Sequence, residues 1–358
     1  MSRNALLNLN LPRWLWSALC GVLLLPGVPP AQAAPPLSFP SAHPGPSARV
    51  ITVENPEAIE AFRARPEIVR AMVNRGITNL TAKPTVAAAW LSLVTTQDTV
   101  GIKVYSSPGP NSGTRAAVAA AVVEGLLAAG LPPNHIIVWD REIADLRLAG
   151  FTDLVDRYGI RVAGSVQAGW DETTFYEHEL LGNLVWGDLE FGRNTNGTGR
   201  KSFVSKLVSR DITKIMNVTP LLNHNLAGVT GHLYSLATGS VDNLIRFEAN
   251  PERLARAIPE IYALEALSDK VVLNITDALI CQYEGEERGL LHYSAVLNQL
   301  RFSKDPVALD VLSIKELDRQ RQAAKAPEGK TNPELYDTAA LLQLGVNDLR
   351  RIKVDTLR

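Results

Sequence analysis

The sequence predicts an α/β fold, a mostly parallel sheet with helices on both faces, plus an irregular insertion. Two observations predict it. Short apolar runs alternate with helical runs from residue 99 onward, the pattern of a parallel sheet covered on both sides. Two of the apolar runs also end alike, as Lys214-Ile-Met-Asn217-Val-Thr219-Pro220 and Val271-Val-Leu-Asn274-Ile-Thr276-Asp277. Side chains alternate along a strand, so Asn217 shares a face with Thr219, and Asn274 with Thr276. Ligands of open α/β sheets lie beyond the carboxyl ends of the strands, so two polar endings of one design predict one shared site.

Residues 1–33 read as a secretory signal peptide. Arg3 and Arg13 supply its positive region, Leu15 to Leu25 its short apolar core, and Ala31-Gln32-Ala33 its cleavage site. The apolar run is too short for a permanent span, and Leu19 before Cys20 argues against a lipid anchor. The expected product is exported, periplasmic or secreted, with no stable membrane anchor. Residues 34–48, rich in proline, read as an extended leader. Residues 49–358 then form a single α/β domain.

Helices are expected from Pro56 to Arg75, interrupted near Pro66, and from Thr85 to Thr95. Thr99 to Tyr105 reads as a buried strand and Thr114 to Ala129 as an Ala/Val/Leu helix. Ile136 to Asp140 is a strand, Glu142 to Leu148 a helix, and Ile160 to Ala163 a strand. Trp170 to Arg200 has no clean period and reads as an irregular insertion with room for a hairpin. A helix from Phe203 to Ser209 precedes the strand from Thr213 to Val218. Helical stretches follow at Leu226 to Ala237 and Pro251 to Leu267. The strand Val271 to Thr276 gives way to an irregular stretch reaching Leu300. Asp305 as N-cap and Pro306 at the first helical position start a helix to Ala323. Pro333 to Leu342 is a further helix and Arg351 to Val354 a last strand.

Charge and cysteine usage exclude several functions. The chain carries a formal charge of −1, which becomes −3 without the signal and its two arginines. That balance gives no footprint for nucleic acid. Of two cysteines only Cys281 lies in the mature part, so no internal disulfide and no cysteine-ligated iron–sulfur cluster is expected.

The polar strand ends hold the candidate chemistry. Lys103 lies inside Val100-Gly-Ile-Lys-Val104, and a buried ammonium needs a partner. It reads as a cation for an anionic substrate group, as a lysine with lowered pKa, or as a structural ion pair with Asp140 or Asp277. The loop Ser106 to Thr114 before a helix reads as an anion site or an ordinary capped turn, and lacks the P-loop signature. Asn194 to Ser202 reads as a surface turn, with an anion cradle as the alternative. His224 and His232 lie eight residues apart, within about 80° of each other if that stretch is helical. His224 suits proton transfer, with Asp277 orienting it; local capping is the alternative for both histidines. Lys103, His224 and Asp277 are therefore the catalytic candidates. Asn217, Thr219, Asn225, Thr230, His232 and Asn274 are the substrate-binding ones. Asp277 and His224 are the candidates for a divalent metal, whose spacing signal is weak. Asp277 as a turn cap is the alternative. Asp305 and Asp310 fall about 140° apart on their helix and form no paired-carboxylate site. Glu284, Glu286 and Glu287 read as a solvated acidic loop.

The ordered set Gly101-Ile-Lys-Val104, Ala129-Gly130, Ile137-Val-Trp-Asp140, His224-Asn-Leu-Ala-Gly-Val-Thr-Gly231, Ile275-Thr-Asp-Ala278 and Asp305-Pro-Val-Ala-Leu-Asp310 resembles the bacterial and archaeal domain of unknown function family 362. The resemblance covers roughly residues 98 to 355. Where the family pattern has Lys-x-His this chain has Leu222-Asn223-His224, and where it often has Lys-Asn this chain has Tyr234-Ser235. Some relatives carry an added cysteine-rich, ferredoxin-like segment that Cys281 alone cannot reproduce. The resemblance implies the fold and the site without implying a reaction. The expected function is therefore an exported enzyme acting on a small polar or anionic substrate. Alternatives are a periplasmic ligand-binding protein without turnover and a redox accessory protein.

Overall fold

A computed structural model describes residues 47–178, 200–329 and 331–358. The signal peptide, nearly all of the leader and the loop from Asn194 to Gly199 lie outside the described residues.

The strands are β1 (Ala48–Glu54), β2 (Ile59–Glu60), β3 (Arg63–Ala64), β4 (Val100–Lys103), β5 (Ile136–Asp140), β6 (Arg161–Gly164), β7 (Trp170–Glu177), β8 (Lys201–Ser205), β9 (Lys214–His224), β10 (Gly228–Val229), β11 (Val271–Gln282), β12 (Ser294–Ser303) and β13 (Ile352–Leu357). The helices are α1 (Pro66–Thr81), α2 (Val86–Leu91), α3 (Gly109–Ser112), α4 (Ala116–Ala128), α5 (Ile143–Leu148), α6 (Asp153–Tyr158), α7 (Ser165–Ala168), α8 (His232–Ser240), α9 (Pro251–Tyr262), α10 (Pro306–Ala324) and α11 (Pro333–Leu341).

The main sheet runs β13-β1-β12-β11-β9-β4-β5-β6, with β10 hairpinned onto β9. Its β11-β9-β4-β5-β6 half is parallel, while β12 is antiparallel to both neighbours and β13 is parallel to β1. The α/β reading of the sequence is therefore what the chain adopts. Alternation sorts the strand residues between two cores. Ile102, Val138, Met216, Val218 and Ile275 pack with residues of α1, α2 and α4 on one face. Ile137, Trp139, Ile215 and Leu221 pack with residues of α8, α9 and α11 on the other. Asn217 and Thr219 alternate with Met216 and Val218, so they belong to the second face.

Several expected elements change identity. The described residues begin with strand β1 and the β2–β3 hairpin, so the helix expected from Pro56 starts at Pro66 instead of being interrupted there; proline suits a first helical position. Residues 201–205 are a strand, because β8 pairs with β7 as the hairpin the insertion had room for. The stretch after Thr276 continues as strand to Gln282, and β12 occupies most of the span read as irregular. A bulge between Ala278 and Ile280 masks the period of β11. Helix is absent between Leu226 and Gly231: β9 turns back into β10, and α8 begins only at His232. The 80° relation between the two histidines therefore does not hold. Among the described residues no helix is long and apolar enough to cross a membrane.

Candidate functional site

The two Asn-x-Thr endings lie side by side. In the parallel pair β9–β11, Asn217 is in register with Asn274 and Thr219 with Thr276, and all four are buried. They form a polar layer beneath α8 with His232. Asn217 Nδ2 donates to the His232 carbonyl at 2.9 Å, and His232 Nε2 lies 3.0 Å from Thr276 Oγ1 and 3.4 Å from Thr219 Oγ1. Asn274 Nδ2 donates to the Lys304 carbonyl at 3.3 Å. Thr230 donates its backbone N–H to the Leu222 carbonyl at 2.9 Å. Burial alone pushes the His232 imidazole down to about 3, so it is neutral. Asp310 closes the layer by accepting the His232 and Leu233 N–H groups at 2.7 and 3.0 Å, at the start of α8. Burial raises its carboxyl to about 7 against those hydrogen bonds.

Lys103, read as a cation for an anionic group or as the partner of Asp140 or Asp277, and Asp277, read as orienting His224, lie in separate ion pairs, Lys103 with Asp140 and Asp277 with Arg115. Lys103 Nζ donates to Asp140 Oδ1 at 2.8 Å, the Val104 carbonyl at 2.7 Å and Ser235 Oγ at 3.0 Å. All three of its protons are engaged, and it is fully buried. Burial lowers its affinity for a proton and Asp140 restores part of it. The fit is tight: a Cβ at Gly239 of α8 would overlap the Lys103 side chain. Asp140 Oδ2 in turn accepts the Ser106 N–H and Oγ–H, both at 2.7 Å. Thus the loop after β4 binds an internal carboxylate. Asp277 accepts the Arg115 backbone N–H at 2.9 Å and Nη1 at 3.0 Å, at the start of α4. Arg115 also reaches the Asn111 carbonyl at 3.1 Å. The turn-cap alternative for Asp277 corresponds instead to its contact with the Leu279 N–H, which donates to Oδ1 at 3.3 Å.

Above this layer, at the carboxyl ends of β4, β5 and β9, lies an open cleft. One part, of about 570 Å³, is lined by Tyr105, Asp140, Arg141, Glu142, Asp145, Trp170, Tyr234, Asp242, Glu248 and Glu287, among others. A second, of about 490 Å³, is lined by His224, Asn225, Leu226, Tyr234, Glu248, Glu286, Glu287 and Arg288. The parts share Tyr234, Glu248 and Glu287. Of the nine sequence-predicted site residues, His224 and Asn225 line this cleft, and the others lie elsewhere.

His224 ends β9 with Nδ1 accepting the Leu226 and Ala227 N–H groups at 3.2 and 3.0 Å. That assigns the proton to Nε2. Its ring stacks on Tyr234, centroids 4.2 Å apart, and burial pushes its pKa down to about 4 despite Glu287. Asn225 donates its backbone N–H to Glu286 Oε1 at 2.6 Å. The Tyr234 hydroxyl donates to Glu248 Oε1 at 2.8 Å, and the Tyr105 hydroxyl donates to Glu287 Oε1. Burial, then neighbouring acidic groups, raise both phenols well above the ordinary tyrosine range. The Asp145 carboxyl is raised by burial and then by Asp140, Glu142 and Glu287. Negative charge therefore accumulates here. The two lining arginines donate to backbone carbonyls. Arg141 donates to the Thr238, Val241 and Asp242 carbonyls, and Arg288 Nε to the Gly285 carbonyl at 3.3 Å.

Sequence reasoning missed Glu248 and Tyr234; Glu287, read as part of a solvated acidic loop, is exposed and also lines the cleft. Tyr105 and Asp140 carried the one usable signal, their position at strand ends. Among the described residues no three His, Cys, Asp or Glu side chains are grouped so as to hold a metal ion.

The family model described as "Domain of unknown function (DUF362)" matches residues 100–315. A crystal structure of a Thermotoga maritima protein, a structural genomics target, superimposes with a TM-score of 0.40 at 12% identity. The match covers 75% of this chain and 61% of that one. No curated protein matches the chain.

Proposed function

The chain belongs to the domain of unknown function 362 family, and from that premise we propose that it is a small-molecule binding protein whose cleft takes an organic cation. The supporting observation is the sign of the lining charge. Glu142, Asp145, Asp242, Glu248, Glu286 and Glu287 line the cleft against two cations, Arg141 and Arg288, so the lining keeps an excess of negative groups. Trp170, Tyr105 and Tyr234 add aromatic walls, with Arg141 already 5.8 Å from the Trp170 ring, Lys103 5.8 Å from the Tyr105 ring and His224 on one side of Tyr234. An ammonium about 4 Å from one of these carboxylates gains on the order of 4 kcal/mol at an effective dielectric of 20, before desolvation is subtracted.

Binding without turnover accounts for the same groups. His224, neutral above about pH 4, has Nδ1 committed to two backbone N–H groups. It offers Nε2–H as a hydrogen-bond donor and no base. The two phenols are held by glutamates, and their raised pKa values keep them protonated. We assign Glu248 and Glu287 to the ligand's cationic nitrogen, and Tyr234 and Trp170 to its hydrocarbon.

Isothermal titration at pH 7 with 1,4-diaminobutane, 1,4-butanediol and succinate tests the proposal. The diamine is expected to bind, to weaken with added salt, and to lose about 5- to 30-fold in affinity in Glu248→Gln and in Glu287→Gln, as for the loss of about 1–2 kcal/mol. Succinate binding more tightly than the diamine would overturn it.

A further inference from the structure

Another cavity lies elsewhere, between α10 and the β12-β1-β13 side of the sheet. Its volume is about 750 Å³, and it shares no lining residue with the acidic cleft. It exists because the sheet face beneath α10 changes character along the strands. Val50 packs against Ala308 and Leu309 near the start of α10. Two and four residues further along β1, on the same face, come Thr52 and Glu54, which line the cavity.

Arg301 is the unusual group there. It is 7% exposed, yet its guanidinium donates only to neutral oxygens: Gln299 Oε1, at 3.3 Å from Nε and 2.9 Å from Nη2, and the Leu312 carbonyl at a long 3.5 Å from Nη1. Its one carboxylate partner among the described residues is Glu316, in a long ion pair at 3.6 Å without a hydrogen bond. It is already held by Arg319 at 2.6 Å and Gln320 at 2.8 Å. Burying a guanidinium without a hydrogen-bonded carboxylate is costly, and its planar fork matches a carboxylate's two oxygens. Half-buried Leu312 and Ile314, with the exposed Leu349 and Val354, supply an apolar wall beside it.

We propose that this cavity is a second ligand site, taking a small monocarboxylate with an aliphatic tail, its carboxylate on Arg301 and its tail on Leu312, Ile314, Leu349 and Val354. Lys315, exposed at the cavity's edge on α10, and Arg319 add positive charge, balanced in number with Arg301 by Glu54, Glu316 and Asp318, so the preference for a carboxylate rests on the local geometry of Arg301.

Titration of the full chain with octanoate and with 1-octanol tests this. Octanoate is expected to bind at least tenfold more tightly than the alcohol. Arg301→Gln is expected to remove that preference, and the surface change Lys315→Glu to weaken octanoate several-fold. Val354→Trp, which fills the cavity, is expected to abolish binding. Glu287→Gln, in the acidic cleft, is expected to leave octanoate binding unchanged, so the two sites fail or survive separately. Equal binding of acid and alcohol would overturn the proposal, as would unaltered octanoate affinity in folded Arg301→Gln. If Arg301→Gln does not fold, unaltered affinity in both Lys315→Glu and Val354→Trp would overturn it.

Discussion

Replacing Lys103 by methionine removes three hydrogen bonds and one half of a buried ion pair, while keeping most of the side-chain volume. Asp140 retains the two bonds from Ser106 on Oδ2, but Oδ1 loses its donor in a site where the carboxylate is 5% exposed. Removing one partner of such a pair costs about 3–5 kcal/mol, chiefly because the remaining charge stays buried and uncompensated. The double variant Lys103→Met/Asp140→Asn removes that charge and is expected to recover at least half of the loss. The exposed pair Arg350–Asp348, 3.0 Å apart with the arginine 90% exposed, serves as the comparison. Arg350→Ala is expected to change stability by less than about 0.5 kcal/mol. Urea unfolding followed by tryptophan fluorescence reads all three, since the Trp139 ring centroid lies 5.6 Å from Lys103 Nζ. A single variant within 1 kcal/mol of wild type, or a double variant no more stable than the single, would refute the structural role of Lys103.

Other changes test other contacts. Gly239→Ala places a methyl group on the Lys103 side chain and is expected to cost about 1–3 kcal/mol by overpacking, read by the same unfolding assay. His224 titrates near 4 in the folded chain against 6.5 unfolded. Its neutral form therefore stabilises fully above pH 6.5, and that contribution of about 3 kcal/mol is lost as pH falls toward 4. Imidazole nitrogen NMR at pH 6 should show the neutral ring with the proton on Nε2. Asp310 has the opposite sign: with a folded pKa near 7 against 3.8 unfolded, its contribution is full below pH 3.8 and lost as pH rises through 7. Asp310→Asn should flatten that fall, read as a smaller stability difference between pH 5 and pH 8. We further propose that the chain acts after export, in which case N-terminal sequencing of the mature protein should begin at Ala34; a retained Met1 would count against it.

The sheet was legible because its parallel strands are buried on both faces and read as unbroken apolar runs, and because helix boundaries carry chemistry. Asp305 caps α10 through the Ala308 N–H at 2.8 Å, with Pro306 in the first turn, as its sequence implies. Period-two alternation also placed Asn217 and Thr219 on one face, and the register of β9 with β11 brings Asn274 and Thr276 beside them. What the sequence left open is which polar residues reach solvent. The Arg115–Asp277 pair spans 162 positions, and nothing local marks Arg115 as a partner. Glu248 and Glu287 come from irregular segments without a period, and only the tertiary fold sets them against Tyr234 and Tyr105. The histidine spacing misled because β9 turns back into β10 through Gly228, whose φ of +89° suits glycine.

The most direct measurement is a crystal structure grown with 1,4-diaminobutane and succinate offered together at equal concentration. An ammonium within hydrogen-bonding distance of Glu248 or Glu287, with the ligand's carbons against Tyr234 or Trp170, is the expected result. Succinate in that cleft, or the diamine seated only outside it, would contradict the cation-binding function.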